Sequence, residues 1–354
     1  MTIATSQLRN RIDRLFGASN IYAFRLIRIA EILYRYRTKG DFDLLELVEY
    51  ERHSVEWGDE VSNEFFGRLP TSKQINRRKL FDPNAMPPAL LTELGSLNKA
   101  GNGFVEAYIY RALETRLLSV REVDDYVKGS TADTFSLTEL VSFFQFDQGL
   151  RRSVDKMYEI LVYALFSTIV RALEATVTLE IGNKDENILR DFDVFIKMVL
   201  GIDSDQTRVI ASAALYRVGV TNAADRGLDM WANFGPAIQV KHLTLTAELV
   251  EGIADGITAD KMVIVCIDAE RELIASLLTQ VGMGERIQGI VTIKDLDDWY
   301  KMCLSEKYRD NLGKNLLKDV RREFDAEFPS SKEIGSFMES RGYDKMEIPT
   351  DWQS

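Results

Sequence analysis

Apolar residues recur three and four apart from residue 5 to residue 37, first as Leu8, Ile12, Leu15 and Phe16 and then as Ile21, Phe24, Leu26, Ile29, Ile32 and Leu33. A break near Gly17 divides the run, so the spacing predicts two helices. Residues 72–88 are polar and basic and end on Pro83, Pro87 and Pro88, the composition of a loop or linker. Residues 99–103, Lys-Ala-Gly-Asn-Gly, read as flexible, and helical spacing resumes over 104–118. The first 150 residues are thus expected to be mainly helical. Residues 153–173 are apolar nearly all round, through Met157, Ile160, Leu161, Ala164, Leu165 and Ile169, as in a helix buried within a core.

Beyond that helix the period falls to two. Residues 175–181 read as a strand, 187–200 as an inserted helix and 215–220 as another strand. Residues 227–232 and 237–243 flank Asn233-Phe234-Gly235-Pro236, which is hairpin turn chemistry. A helix over 248–257, a fully buried strand over 262–267 and a helix over 270–281 follow, and the whole predicts an α/β fold with a mixed sheet flanked by helices. Past Trp299 the chain is charged and helical, with Ser330 and Glu333 spaced as a capping box and Gly342 placed as a C-cap. Three segments are expected: a mainly helical N-terminal region over 1–150, an α/β core over 151–305 and a helical C-terminal extension over 306–354.

The composition narrows the function classes. With 354 residues, 45% of them hydrophobic, the chain has material for two or three domains, and no apolar run approaches the ~20 residues of a membrane span. The N-terminus lacks the apolar core of a signal peptide, and Cys266 and Cys303 cannot form a disulfide framework, so a cytoplasmic, reduced protein is expected. Two histidines, His53 and His242, leave little for a zinc site, and neither the P-loop nor the dinucleotide glycine motif is present. The net charge of -11 hides an uneven distribution. Residues 1–39 carry Arg9, Arg11, Arg14, Arg25, Arg28, Arg35, Arg37 and Lys39 against Asp13 and Glu31, and a second cluster holds Arg68, Lys73, Arg77, Arg78 and Lys79. Two readings fit these clusters: solvated helix faces, or a groove that tracks phosphates.

The chemistry concentrates around the hairpin, in Asp225-Arg-Gly-Leu-Asp229 and then Gln239-Val-Lys241-His242. Alternation puts Gln239 and Lys241 on one open, polar face and Ile238 and Val240 on the other. If the hairpin is centred on Phe234, Asp229 lies opposite Gln239 with Cβ atoms ~5 Å apart, and Lys241 faces Gly227. A carboxylate, an amide and an ammonium then converge, whereas a one-residue register change scatters them. The plain alternative is a surface hairpin with an incidental ion pair. His242 should face the other side as a structural histidine.

This stretch resembles the PD-(D/E)xK nuclease core, and Asp229 with Gln239-x-Lys241 resembles its Gln-x-Lys branch, as in Mrr-like enzymes. Residues 216–243, continuing through Ile253-Ala-Asp-Gly-Ile-Thr-Ala-Asp260 to Trp299-Tyr300, are similar to the central block of the HaeII-type restriction endonucleases. The resemblance makes 151–305 a PD-(D/E)xK-like nuclease core. It implies a type II enzyme, a site-specific deoxyribonuclease that hydrolyses phosphodiesters in both strands of double-stranded DNA at a short palindrome, purine-GCGC-pyrimidine. A homodimer follows from the palindrome's two-fold axis, and a cognate DNA methyltransferase is the functional partner such a system implies. Asp229 and Gln239 would bind the metal and Lys241 would polarise the attacking water or stabilise charge on the phosphate. Oxygen-only ligands favour Mg²⁺ over zinc. Since Gln239 supplies only a neutral oxygen, Asp225 or Glu159 could make up the missing carboxylate; their plain readings are a turn residue and a helix-surface acid. Arg77, Arg78 and Lys79 are the candidate DNA contacts. The first 150 residues carry no motif of their own, so target recognition or dimerisation falls to them by resemblance alone. A structure-selective or repair nuclease on the same core, and a non-catalytic DNA-binding module, are the competing readings.

Overall fold

A computed structural model describes residues 5–16, 22–66, 79–146, 150, 153–183, 185–202, 206–218, 228–240, 259–266, 271–280, 282, 284–328 and 333–352. The chain divides into two compact units, one of Met1–Gly129, Thr138–Val154 and Arg321–Ser354 and the other of Ser130–Leu137 and Asp155–Val320. The segment expected as a C-terminal extension is therefore shared, with 306–320 in the second unit and 321–354 in the first. No helix among the described residues is long and apolar enough to cross a membrane.

The first unit is helical, as its spacing predicts. Its elements include α1 (Thr5–Phe16), α2 (Tyr22–Thr38), α3 (Leu47–Tyr50), α4 (His53–Phe66), α5 (Pro88–Ala100), α6 (Phe104–Gly129) and α7 (Leu137–Phe146). Gly17 lies outside the described residues. α5 opens on Pro88, whose fixed φ suits a first helical position. The segment read as flexible is a tight turn: Gly103 N–H bonds Asn98 O at 2.8 Å, and the Asn98 side chain accepts from Val105 and Glu106 at the start of α6. Gly103 has φ 103°, and a Cβ there would meet the Arg37 guanidinium at 2.9 Å, so only glycine fits. α6 runs well past residue 118 because Val120, Val123 and Val127 keep its buried stripe going.

Within this helical core sits a polar network of α2, α5, α6 and the C-terminal segment. Glu106, fully buried, accepts from Arg37 at 2.9 and 2.8 Å, from Asn98 at 2.5 Å and from the Tyr343 hydroxyl at 2.5 Å. Glu31, also buried, accepts from Arg341 at 2.6 and 3.1 Å and from Tyr110 at 2.6 Å, and burial pushes its carboxyl above the ordinary value. Glu106→Ala leaves the Arg37 charge and the Asn98 and Tyr343 donors without their acceptor, so a loss of ~3–5 kcal/mol is expected in urea unfolding. A loss under ~1 kcal/mol would mean that water replaces the carboxylate at no cost.

Cations of the 1–39 cluster find partners within the protein. Arg28 is buried and donates to Ser54 Oγ and Glu51 O, Arg37 is held by Glu106, and Arg11 donates to the backbone oxygens of Pro83 and Asn84. These three bind the protein itself. The second cluster lies outside the described residues up to residue 78; Lys79 opens a short 3-10 turn, Lys79–Phe81.

The second unit is built on α8 (Val154–Ala172) and two sheets. β1 (Thr176–Glu180) pairs antiparallel with β2 (Arg208–Ser212), and a helical segment, α9 (Glu186–Asp191), α10 (Asp193–Phe195) and a π turn (Ile196–Leu200), lies between them in sequence. The main sheet has the order β3 (Leu215–Arg217), β4 (Met230–Ala232), β5 (Ala237–Val240), β6 (Met262–Cys266), β7 (Ile287–Thr292). The first three strands are antiparallel and the last three parallel, so the sheet is mixed, as expected. β3 stops at Arg217 and β4 starts at Met230, while 219–220 and 241–243 of the expected strands and the helix expected over 248–257 lie outside the described residues. β2 and β7 carry no clear pattern: β2 is almost wholly exposed, and Gly289 interrupts the alternation of β7.

α11 (Arg271–Gln280), α12 (Ile293–Leu304) and α13 (Lys314–Glu327) follow. α12 opens on a capping box of Thr292 and Asp295, and its Tyr300 hydroxyl donates to Leu161 O at 2.9 Å, which ties it to α8. The last helix, α14 (Ile334–Arg341), is stopped by Gly342 in the left-handed region at φ 69°, as expected. Its start differs from expectation. Glu333 is the N-cap and makes no side-chain cap bond, so it does not occupy the third helical position that a Ser330 capping box requires.

Candidate active site

The turn of the hairpin sets its register. Gly235 has φ 122°, open only to glycine without strain, and the Asn233 side chain accepts from Ala214 N–H and donates to Ser212 O, anchoring the turn. Met230 pairs with Ile238 and Trp231 with Ala237, which centres the hairpin on Phe234 and makes Asp229 and Gln239 the next pair outward. The Tyr216 and Trp231 rings, paired across β3 and β4, stack at 4.4 Å and reinforce that register.

The side chains meet. Gln239 Nε2 donates to Asp229 Oδ2 at 2.6 Å, and the Val240 N–H donates to the same oxygen at 2.8 Å. The opposite orientation of the amide would bring two oxygens to 2.6 Å, so the donor belongs on the carboxylate. That leaves Gln239 Oε1, a buried acceptor with no hydrogen-bond partner among the described residues. Such an atom calls for a water or a cation. The face is not open, however: Gln239 is 1% exposed, and all four residues of β5 are buried. Alternation separates the faces correctly, but both are covered.

Glu159 of α8 belongs to the same site. It is buried, and its carboxyl is pushed up to about 7, first by burial and then by the negative charge of Asp229; Lys156 and Arg217 pull the other way. Lys156, one turn earlier, grips both Glu159 oxygens at 2.7 Å. The plain reading of Glu159 as a helix-surface acid is therefore corrected. Lys156 and Arg217 were not foreseen. Spacing of three along one helix could have marked Lys156, whereas Arg217 reaches the site through strand pairing, which leaves no local signal.

Lys241, His242, Asp225, Arg77 and Arg78 lie outside the described residues. Among the described residues no three of His, Cys, Asp and Glu come together as a metal site. The donors present are the carboxylates of Asp229 and Glu159 and the amide oxygen of Gln239, all hard oxygens suited to Mg²⁺ and poorly suited to softer metals. The orphaned Oε1 and the mutual repulsion of two carboxylates both fit a divalent cation. A cavity of about 470 Å³ on the Ile238 face is lined by Phe166, Ile169, Trp299 and Met302 among others, with Gln288 its one polar side chain. That apolar lining does not suit a phosphate.

The family described as HaeII restriction endonuclease matches residues 8–343. The chain belongs to the HaeII restriction endonuclease family. The type II restriction enzyme HaeII of Haemophilus aegyptius is 40% identical over 339 residues, 95% of this chain and 96% of the relative. The type II restriction enzyme NgoBI of Neisseria gonorrhoeae is 41% identical over 347 residues, 97% and 98% of the two chains. No solved structure matches. Membership in the HaeII family spans both units, so the helical unit and the α/β unit belong to one shared architecture.

Proposed function

We propose that this chain is a type II restriction endonuclease that hydrolyses phosphodiesters in both strands of double-stranded DNA at purine-GCGC-pyrimidine, with Mg²⁺ as cofactor. The observation that carries the reading is the Asp229–Gln239 pair with its orphaned amide oxygen, beside Glu159, in a chain of the HaeII family.

In this reading Asp229, Glu159 and Gln239 Oε1 hold the ion. When bound, it supplies positive charge against the scissile phosphate and favours ionisation of the attacking water. The protein's own groups do the rest. Gln239 Nε2 and Val240 N–H hold the Asp229 carboxylate in place, so little reorganisation is needed when charge develops. Lys241, two residues after Gln239, donates to the attacking water or to a phosphate oxygen. Lys156 and Arg217 oppose the build-up of negative charge when substrate arrives. A homodimer matches the palindrome, a cognate methyltransferase protects host DNA, and the enzyme acts in the cytoplasm, where that DNA lies.

Digestion of a plasmid of known sequence with Mg²⁺ tests the reading. Discrete fragments whose ends map to purine-GCGC-pyrimidine are expected. Cleavage of branched DNA alone would favour a structure-selective nuclease, and a gel shift without cutting a binding module. Binding should weaken with salt, by a slope of about -0.9 in log K against log salt for each phosphate neutralised. Replacing Arg77 and Arg78 by Ala is expected to flatten that slope by up to about 2. An unchanged slope would make this cluster a solvated loop.

A further inference from the structure

The helical segment between β1 and β2 turns its apolar side chains outward. Ile188, Phe192, Phe195 and Val199 recur four, three and four residues apart along α9, α10 and the π turn. All four are exposed, and Val194 and Met198 beside them are 69% and 82% exposed. Ile196 is buried and so faces the unit's own interior. Together the outward side chains present on the order of 800 Å², the area that one partner gives to a standard interface and above the usual largest apolar patch of a monomer.

We infer that this helical segment, residues 186–200, is the surface on which a second copy of the chain docks, so that the dimer forms through it rather than through the N-terminal helical region. The inference rests on the proposed restriction function, whose palindromic substrate calls for two active sites related by a two-fold axis. Charge argues against DNA as the occupant: residues 176–212 hold seven Asp or Glu against four Lys or Arg. Within the helix Lys197 pairs with Asp193 at 2.9 Å and Arg190 with Asp191 at 3.6 Å, which leaves the seam free of strong net charge. In a two-fold pairing the segments run antiparallel, so the acidic first turn at Glu186 meets the far end, where the Lys197–Asp193 pair adds no net negative charge. The apolar seam of one copy thus meets the same seam of the other.

Sedimentation velocity of the full chain, with and without a purine-GCGC-pyrimidine duplex in Ca²⁺, tests this. The wild-type chain is expected to be a dimer. The double variant Phe192→Glu, Phe195→Glu is expected to raise the dimer dissociation constant at least ~30-fold, the effect of losing one interface hot spot, with unchanged circular dichroism. In a second variant, Phe192→Cys, at the residue that an antiparallel pairing of Glu186 with the Lys197 end brings nearest the two-fold axis, mild oxidation should give a covalent dimer, which the wild type with its buried Cys266 and Cys303 should not. A wild-type chain that stays monomeric on DNA, or a double variant that stays dimeric, overturns the inference. Plasmid digestion separates the two readings: a dimer that never cuts DNA fails the nuclease reading alone, and a cutting monomer fails the interface alone.

Discussion

Asp229→Ala and Lys241→Ala are each expected to lower the rate of DNA cleavage in Mg²⁺ by three or more orders of magnitude while leaving cognate DNA bound in Ca²⁺. Three orders correspond to roughly 4 kcal/mol of transition-state stabilisation, the upper range for removing one preorganised group from a reacting centre. Asp229 carries more than a ligand's role in the fold. Its Oδ2 accepts from Gln239 Nε2 and from the Val240 N–H, so truncation to Ala leaves two donors unpaired at ~1–3 kcal/mol each. The residue does not behave as one on an open face, where ordinary substitutions change stability by about half a kcal/mol. Asp229→Asn is the control, since its amide oxygen can still accept both bonds and only the charge is lost. Cleavage lost in Asn and Ala alike, with unfolding shifted mainly in Ala, separates the chemical role from the structural one. Near-native cleavage by Lys241→Ala or Asp229→Asn would remove the basis for this active site. Gln239→Glu is the companion: it sets a second carboxylate against Asp229 at a contact now 2.6 Å long, so activity should persist with an altered Mg²⁺ to Mn²⁺ preference.

The hairpin was legible because its information is local. Alternation, four turn residues and one centre of symmetry at Phe234 suffice to pair Asp229 with Gln239. Burial of that pair was not legible, since polar-apolar alternation describes a sheet with one wet face, and this sheet has both faces covered at β5. Charge misled for a similar reason. Arg28 and Arg37 count as free cations along the chain, but Arg37 finds Glu106, 69 residues away, inside the core. Glu159 could be named only as a spare acid on a helix. The charge that raises it comes from Asp229, seventy positions on, and no periodicity encodes that encounter. The same holds for β2 and β7, whose pairing partners, not their own side chains, make them strands. The resemblance read from residues 216–300 covered the catalytic half alone, whereas the family match spans residues 8–343 as a whole.

Glu159→Gln should reveal that long-range encounter through pH. The folded carboxyl titrates near 7 and the ordinary value is 4.5, so between those limits the folded chain holds a proton that the unfolded chain releases. Stability from this group is therefore complete below about pH 4.5 and is lost as pH rises through 7. The difference between the two values corresponds to roughly 3 kcal/mol. In EDTA the wild-type chain should thus lose about that much unfolding free energy between pH 5 and pH 8 at this site, whereas Glu159→Gln, which is neutral throughout, should not. The variant should then be the more stable protein at pH 8 and close to wild type at pH 5. Its cleavage in Mg²⁺ should nonetheless fall at least ~100-fold, because the ion would lose one of the two carboxylates of the proposed site. Urea titrations of both proteins at the two pH values, read beside cleavage rates, check this. Parallel loss of stability in both chains would place the titrating group elsewhere, and full activity in Glu159→Gln would remove Glu159 from the metal site while leaving Asp229 and Gln239 in it.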